Sequence, residues 1–248
     1  MSARPPTPPA STLATTTGSL ARLVEEARHV PMRAVVRRLD EVVWGSLVLV
    51  VAAAGCVGAA MADQAGRQAM RLIGDQSFIG LEYPVLGVQE FCPLVTALVL
   101  AQRVGAGFAA ELASLVVDGT LDALRLFHAR PTARRIAPMA LALPPGSVVL
   151  GVIAVVVWEL AGIVAMFARS QVNPFTFFHP EAVSKPMLVE LVGKCALFGA
   201  CVFVGATTAA LRARNHGDVG RATTDAVVVG TLLCLLVNVV VDVAWLVA

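Results

Sequence analysis

The chain has 248 residues, of which 57% are hydrophobic and 15% charged, with a formal net charge of +2 and a mean hydropathy of +0.78. A soluble domain carries about 45–50% apolar and about 25% charged residues, so the composition excludes an ordinary soluble globular protein and points to a polytopic membrane protein. So balanced a charge gives no reason to expect nucleic acid as a partner.

Residues 1–18 are rich in Pro, Ser and Thr (Pro5, Pro6, Pro8, Pro9, then Thr15–Thr17) and are expected to form a disordered tail, because they offer too little apolar surface to bury. No apolar core follows a basic start, so a cleavable signal peptide is not expected. In residues 19–41, Leu20, Leu23, Val24, Ala27 and Val30 share one helical face, with Arg22, Glu25, Glu26 and Arg28 around it. Pro31 interrupts, and Arg33, Arg37 and Arg38 follow. This pattern predicts an amphipathic helix at the membrane surface, the plainer alternative being a short solvated helix.

Five stretches are long and apolar enough to cross a bilayer, which takes about 20 residues. They are Val42–Ala62, about Cys92–Val117, about Ile136–Phe167, about Leu188–Leu211 and about Ala226–Ala248. The third is expected to be broken at Pro144-Pro145-Gly146. Residues 63–90 are too polar for a span, yet end in the apolar run Phe78–Val88. They predict a periplasmic or re-entrant segment. The fold class is therefore all-α: an interfacial helix followed by five transmembrane helices.

Basic residues set the orientation. Residues 1–41 carry six Arg, residues 118–135 four and residues 212–221 three, against two basic residues each in 63–89 and 168–187. Short loops rich in Lys and Arg stay cytoplasmic. This predicts a cytoplasmic N-terminus and a periplasmic C-terminus.

The spans also hold charge: Glu90, Arg103, Glu111, Glu159, Glu190, Lys194, Asp225 and Asp242. An ionisable side chain in a span costs a few kcal/mol on insertion scales and is rarely kept without a role. Glu190 and Lys194 are four apart in the favourable order on one helix face and are expected to pair. Arg103 and Glu111, two turns apart, are placed to bond neighbouring helices. For both sets a structural role and a functional one remain open. Small residues accompany them (Gly105, Ala106, Ala109, Ala110 and Ala113; Gly193, Gly199 and Gly205) and allow close helix packing or a subunit interface.

Cys56, Cys92, Cys195, Cys201 and Cys234 all lie in apolar segments without metal-ligand spacing, so neither a disulfide nor a metal is expected. HExxH, GxSxG and Walker A motifs are absent. ATP binding and nucleophilic chemistry are thus not expected of this chain.

Three blocks resemble the MlaE/YrbE permeases. The first is Glu90-Phe91-Cys92-Pro93-Leu94-Val95-Thr96-Ala97-Leu98, then Arg103-Val104-Gly105, Ala110-Glu111 and Asp122-Ala123-Leu124-Arg125. The second is Val219-Gly220-Arg221-Ala222-Thr223-Thr224 followed by Ala226-Val227-Val228. The third is Lys194 with Phe198-Gly199. The similarity covers about residues 42–248, taken as the permease domain.

The resemblance implies the permease subunit of an ABC-type lipid transporter in the bacterial inner membrane. Its implied partners are a cytoplasmic ABC ATPase, which would hold the ATP and magnesium, a hexameric ring of MCE-domain protein on the periplasmic side, and a second permease copy. That copy is the same chain or a paralogue. It further implies a phospholipid held at the permease dimer interface, with Met61, Leu72 and Ile73 lining the pocket and Glu90, Lys194 and Asp242 as charged groups of interest. Asp118–Ala129, with Asp118, Leu121, Asp122, Ala123, Leu124, Arg125 and Leu126, resembles the coupling helix that docks into the ATPase.

The chain departs from the family pattern at Gln89, Cys92, Gln102, Gly119-Thr120 and Arg130-Pro131. A helical glycine costs about 1 kcal/mol relative to alanine, so the docking helix is expected to start later or be looser. That motivates a second reading, a membrane scaffold that anchors an MCE ring without driving transport. A third, an intramembrane enzyme acting on lipid head groups, rests on the buried carboxylates alone.

Overall fold

The computed structural model describes residues 31–72, 74, 79–120, 135–170 and 180–247. Within them there is no strand, and five helices are long and apolar enough to cross a membrane. The first, α1, runs Met32–Leu72. The second, α2, spans Gly80–Val117 and is a chain of segments: α-helical Ile79–Leu86, a π segment Gly87–Phe91, α-helical Cys92–Leu100, a second π segment Ala101–Gly105, and α-helical Ala106–Val117. The others are α3 (Ala137–Ser170), α4 (Lys185–Ala210) and α5 (Asp218–Val247), with a 3-10 turn Pro180–Ala182 ahead of α4.

The number of spans is as expected; several ends are not. Within the segment 63–90, expected to be periplasmic or re-entrant, residues 63–72 are the last turns of α1 and residues 79–90 the first turns of α2. Gln64, Arg67, Gln68 and Arg71 lower the hydropathy but are good helix formers. Asp63 supports the extension through ion pairs with Arg67 at 2.6 Å and with Arg169 of α3 at 3.1 Å. The expected break at Pro144-Pro145 is also absent, since both prolines lie inside α3. Proline's φ is helical, and what it lacks is an N–H. Just beyond, the Ser147 hydroxyl sits 2.5 Å from the Cys195 carbonyl and ties this stretch to α4. At the N-terminal side, Met32–Glu41 forms one continuous helix with the first span; residues 1–30 lie outside the described residues.

The buried positions of α1 fall on every fourth residue: Val42, Ser46, Val50, Ala54, Gly58, Ala62 and Gly66. On α3 the buried Leu150, Ala154, Trp158 and Met166 keep the same spacing. Rows four apart are the surface ridges by which helices interlock, and the small residues among them let the two backbones approach. The core thus begins with the α1–α3 pair. α4 and α5 form a second pair, meeting where a Cβ on Gly205 would come 2.7 Å from the Gly230 nitrogen. Their connection is closed by Asp218, whose carboxylate accepts the N–H groups of Arg214 and Asn215 at 3.1 Å.

α2 threads between the two pairs and touches all four other helices. Half of its most apolar window is buried, against 17% for α5, which makes α2 the axis of the bundle. Outward faces carry Trp44 and Val48 of α1, Val156, Leu160 and Val164 of α3, and Leu232, Leu236 and Val240 of α5, all exposed. So wide an apolar surface suits lipid as its solvent.

Candidate functional site: a buried lysine shared by three carboxylates

The first π segment places Gln89 and Glu90 on the axial helix. Four residues on, Pro93 has no N–H, so the Gln89 carbonyl lacks its regular helical donor. Lys194 of α4 donates to it at 2.9 Å. The same ammonium lies 3.1 Å from Glu90 Oε1, 3.1 Å from Glu190 Oε1 one turn earlier on α4, and in direct contact with Asp242 Oδ1 of α5. Asn238, one turn before Asp242, donates to both remaining acids, at 3.0 Å to Glu90 and 2.9 Å to Asp242. The Gln89 side-chain amide reaches Glu190 at 3.4 Å.

Burial in this cluster is graded. The Lys194 side chain is fully buried and that of Glu190 is 5% exposed, whereas those of Glu90 and Asp242 are 38% and 35% exposed. One cation is therefore shared by three acids, two of which, Glu90 and Asp242, are partly exposed. An aromatic stack holds the π segment in place. Trp158 of α3 stacks on Tyr83 at 5.0 Å and on Phe91 at 5.2 Å between ring centres. A Cβ on Gly87 would come 2.5 Å from the Trp158 indole nitrogen, so only glycine fits there.

The expected Glu190–Lys194 pair is present, but it is one arm of a larger junction. Glu90 and Asp242 join it. Arg103 and Glu111 do not bond to each other. Glu111 takes the Arg38 guanidinium at 2.7 and 2.9 Å and Arg135 at 3.6 Å. Arg103 lies in the second π segment, against Gly45 of α1. Asp225 is exposed near the start of α5. Both carboxylate oxygens of Glu159 are buried without a hydrogen-bond partner.

Met61 packs half-buried against the core and Leu72 is exposed at the end of α1. Neither touches the charged cluster, and Ile73 lies outside the described residues. In the expected coupling segment, Asp118 caps α2, and Gly119 adopts φ +68°, ending the helix. Asp118 sits 3.9 Å from His216 Nδ1, so the end of α2 and the α4–α5 turn share one end of the bundle. Leu121, Asp122, Ala123, Leu124, Arg125 and Leu126 lie outside the described residues.

Sequence reasoning missed Asn238 and the Gln89 carbonyl. The signals were available: Asn238 and Asp242 are four apart on one face, and Pro93 lies four beyond Gln89.

Five apolar helices, three of them joined by an ion cluster, define an integral membrane protein. The chain belongs to the MlaE permease family, whose description, Permease MlaE, matches residues 35–244. It is similar to a probable ABC transporter permease protein of Synechocystis, with 27% identity over 78% of this chain and 74% of that one. A probable ABC transporter permease protein of Rickettsia prowazekii is 27% identical over 82% of this chain and 80% of its own. One of Rickettsia typhi is 30% identical over 60% of this chain and 59% of its own.

Proposed function

We propose that the chain is the permease subunit of an ABC transporter that moves phospholipid between the inner membrane and the cell envelope. In this reading it works as a dimer with a cytoplasmic ATPase, which binds ATP and magnesium, and with a periplasmic ring of MCE-domain protein. The observation that carries it is the family match over residues 35–244. The names of the similar proteins support the ABC assignment, and the basic loops support a cytoplasmic N-terminus and a periplasmic C-terminus.

The charged cluster supplies a mechanism for gating. Lys194 binds α2, α4 and α5 through separate carboxylates, so α5 can leave or return by exchanging the Asp242 contact while Glu90 and Glu190 keep the ammonium neutralised. Discrete exchange of ion pairs gives a bundle two stable arrangements rather than a continuum. Glu90 and Asp242, at the open side, are the groups positioned to meet a lipid head group.

The test is reconstitution in proteoliposomes with the ATPase and MCE protein, reading lipid-stimulated ATP hydrolysis and lipid transfer. Both are expected, and Glu90→Ala is expected to lower transfer more than it lowers the yield of folded protein. A complex that assembles on the MCE ring without lipid-stimulated hydrolysis supports the scaffold reading instead. The Gly119 turn, which lies inside the expected docking segment Asp118–Ala129 and ends α2 there, favours that second reading.

A further inference from the structure

A second charged site lies at the opposite end of the bundle from Lys194. A cavity of about 390 Å³ opens between the start of α1, the end of α2 and the start of α3, walled by Arg37, Arg38, Arg135 and Glu111. Arg38 and Glu111 also border a second hollow of about 160 Å³, which continues along Val42, Val104, Phe108 and Met139 to Arg103. Together they form one groove with a cationic mouth and an apolar wall.

The charges do not balance within it. Four guanidiniums (Arg37, Arg38, Arg103 and Arg135) face two carboxylates, Glu41 and Glu111. Glu41 is taken by Arg37 and Arg38 at 3.1 and 3.0 Å, and Glu111 by Arg38 at 2.7 Å. Arg135 holds only a 3.6 Å contact to Glu111 with its side chain 55% exposed. Arg103 is exposed within a membrane span and has no ion pair or hydrogen bond among the described residues. A guanidinium at that depth is costly unless an anion meets it, and guanidinium is the group best matched to phosphate oxygens.

We propose that this groove binds an acidic phospholipid, its phosphate between Arg135, Arg37 and Arg103 and an acyl chain along Val104 and Phe108. A soluble phosphate explains the mouth but not the apolar wall inside a span. The site is separate from the transport reading and does not depend on it.

The full chain, purified in mild detergent and mixed with equal phosphatidylglycerol and phosphatidylcholine, is read by native mass spectrometry. Phosphatidylglycerol is expected to be retained about fivefold over phosphatidylcholine, the scale of one cation's pull on an acidic lipid. Arg103→Gln with Arg135→Gln is expected to erase the preference while leaving the thermal midpoint unchanged. Equal retention of both lipids by the unaltered protein overturns the proposal, as does a preference that survives both substitutions. Displacement of the lipid by millimolar inorganic phosphate assigns the site to a soluble anion and also overturns it. A measurement on the unaltered chain covers the case in which the double variant misfolds. Photoactivatable phosphatidylglycerol is expected to label residues 104–108 or Met139, and labelling confined to other helices refutes the site.

Discussion

Pro93 and Lys194 are linked through a single carbonyl: the N–H that Pro93 lacks is the one that regular helix geometry would aim at Gln89, and Lys194 donates there at 2.9 Å. Because the lysine has this backbone acceptor and three acids, no one carboxylate is indispensable to it. Glu190→Ala leaves Lys194 paired with Glu90 and Asp242. Lys194→Met, by contrast, leaves three acids facing each other without a cation, and breaking a buried pair in that way costs about 3–5 kcal/mol. Thermal unfolding in detergent is expected to show a loss for Lys194→Met at least about twice that for Glu190→Ala. The reverse order excludes Lys194 as the centre of the junction.

Gly87 and Gly107 lie on the same helix in opposite circumstances. An added Cβ at Gly87 meets the Trp158 ring at 2.5 Å, while at Gly107 it meets nothing within 4 Å. Trp158 is 1% exposed and has little room to swing. Gly87→Ala is therefore expected to cost about 1–3 kcal/mol through overpacking, and Gly107→Ala to be neutral or slightly stabilising through helix propensity. Equal thermal midpoints for the two variants contradict this packing.

Orientation is testable with fused reporters. One joined after Arg214 is expected to report the cytoplasm, and one after Ala248 the periplasm, following the excess of Arg in alternate loops. A cytoplasmic signal from the C-terminus refutes the orientation proposed above.

The docking segment offers a further test. If Leu124 enters an ATPase groove, Leu124→Asp puts an unpaired charge into a desolvated contact, a loss of several kcal/mol. The permease is expected to insert normally but to lose its co-purifying ATPase. Undiminished co-purification moves the docking site elsewhere, with the α4–α5 turn beside Asp118 as the nearest alternative.

The five spans were legible because hydropathy is a property of composition. Their ends were not, since Gln64, Arg67 and Gln68 depress hydropathy without opposing a helix, and Pro144 and Pro145 cost hydrogen bonds without forcing a break. In the site, the Glu190–Lys194 pair could be read from its spacing on one face. Its union with Glu90 and Asp242 depends on how α2, α4 and α5 pack, and nothing local encodes that. Arg38 and Glu111 were each visible as charges; their bond joins residues 73 apart in sequence.

The length of α1 sets a mechanical scale for the whole protein. Its 41 residues extend about 60 Å, twice the ~30 Å hydrocarbon thickness of a bilayer. Some of it therefore stands in the head-group layers or in water, at one face or both. Unlike α2, it contains neither a proline nor a π turn, so the two devices that interrupt the regular hydrogen-bond ladder are confined, of these two helices, to the axial one.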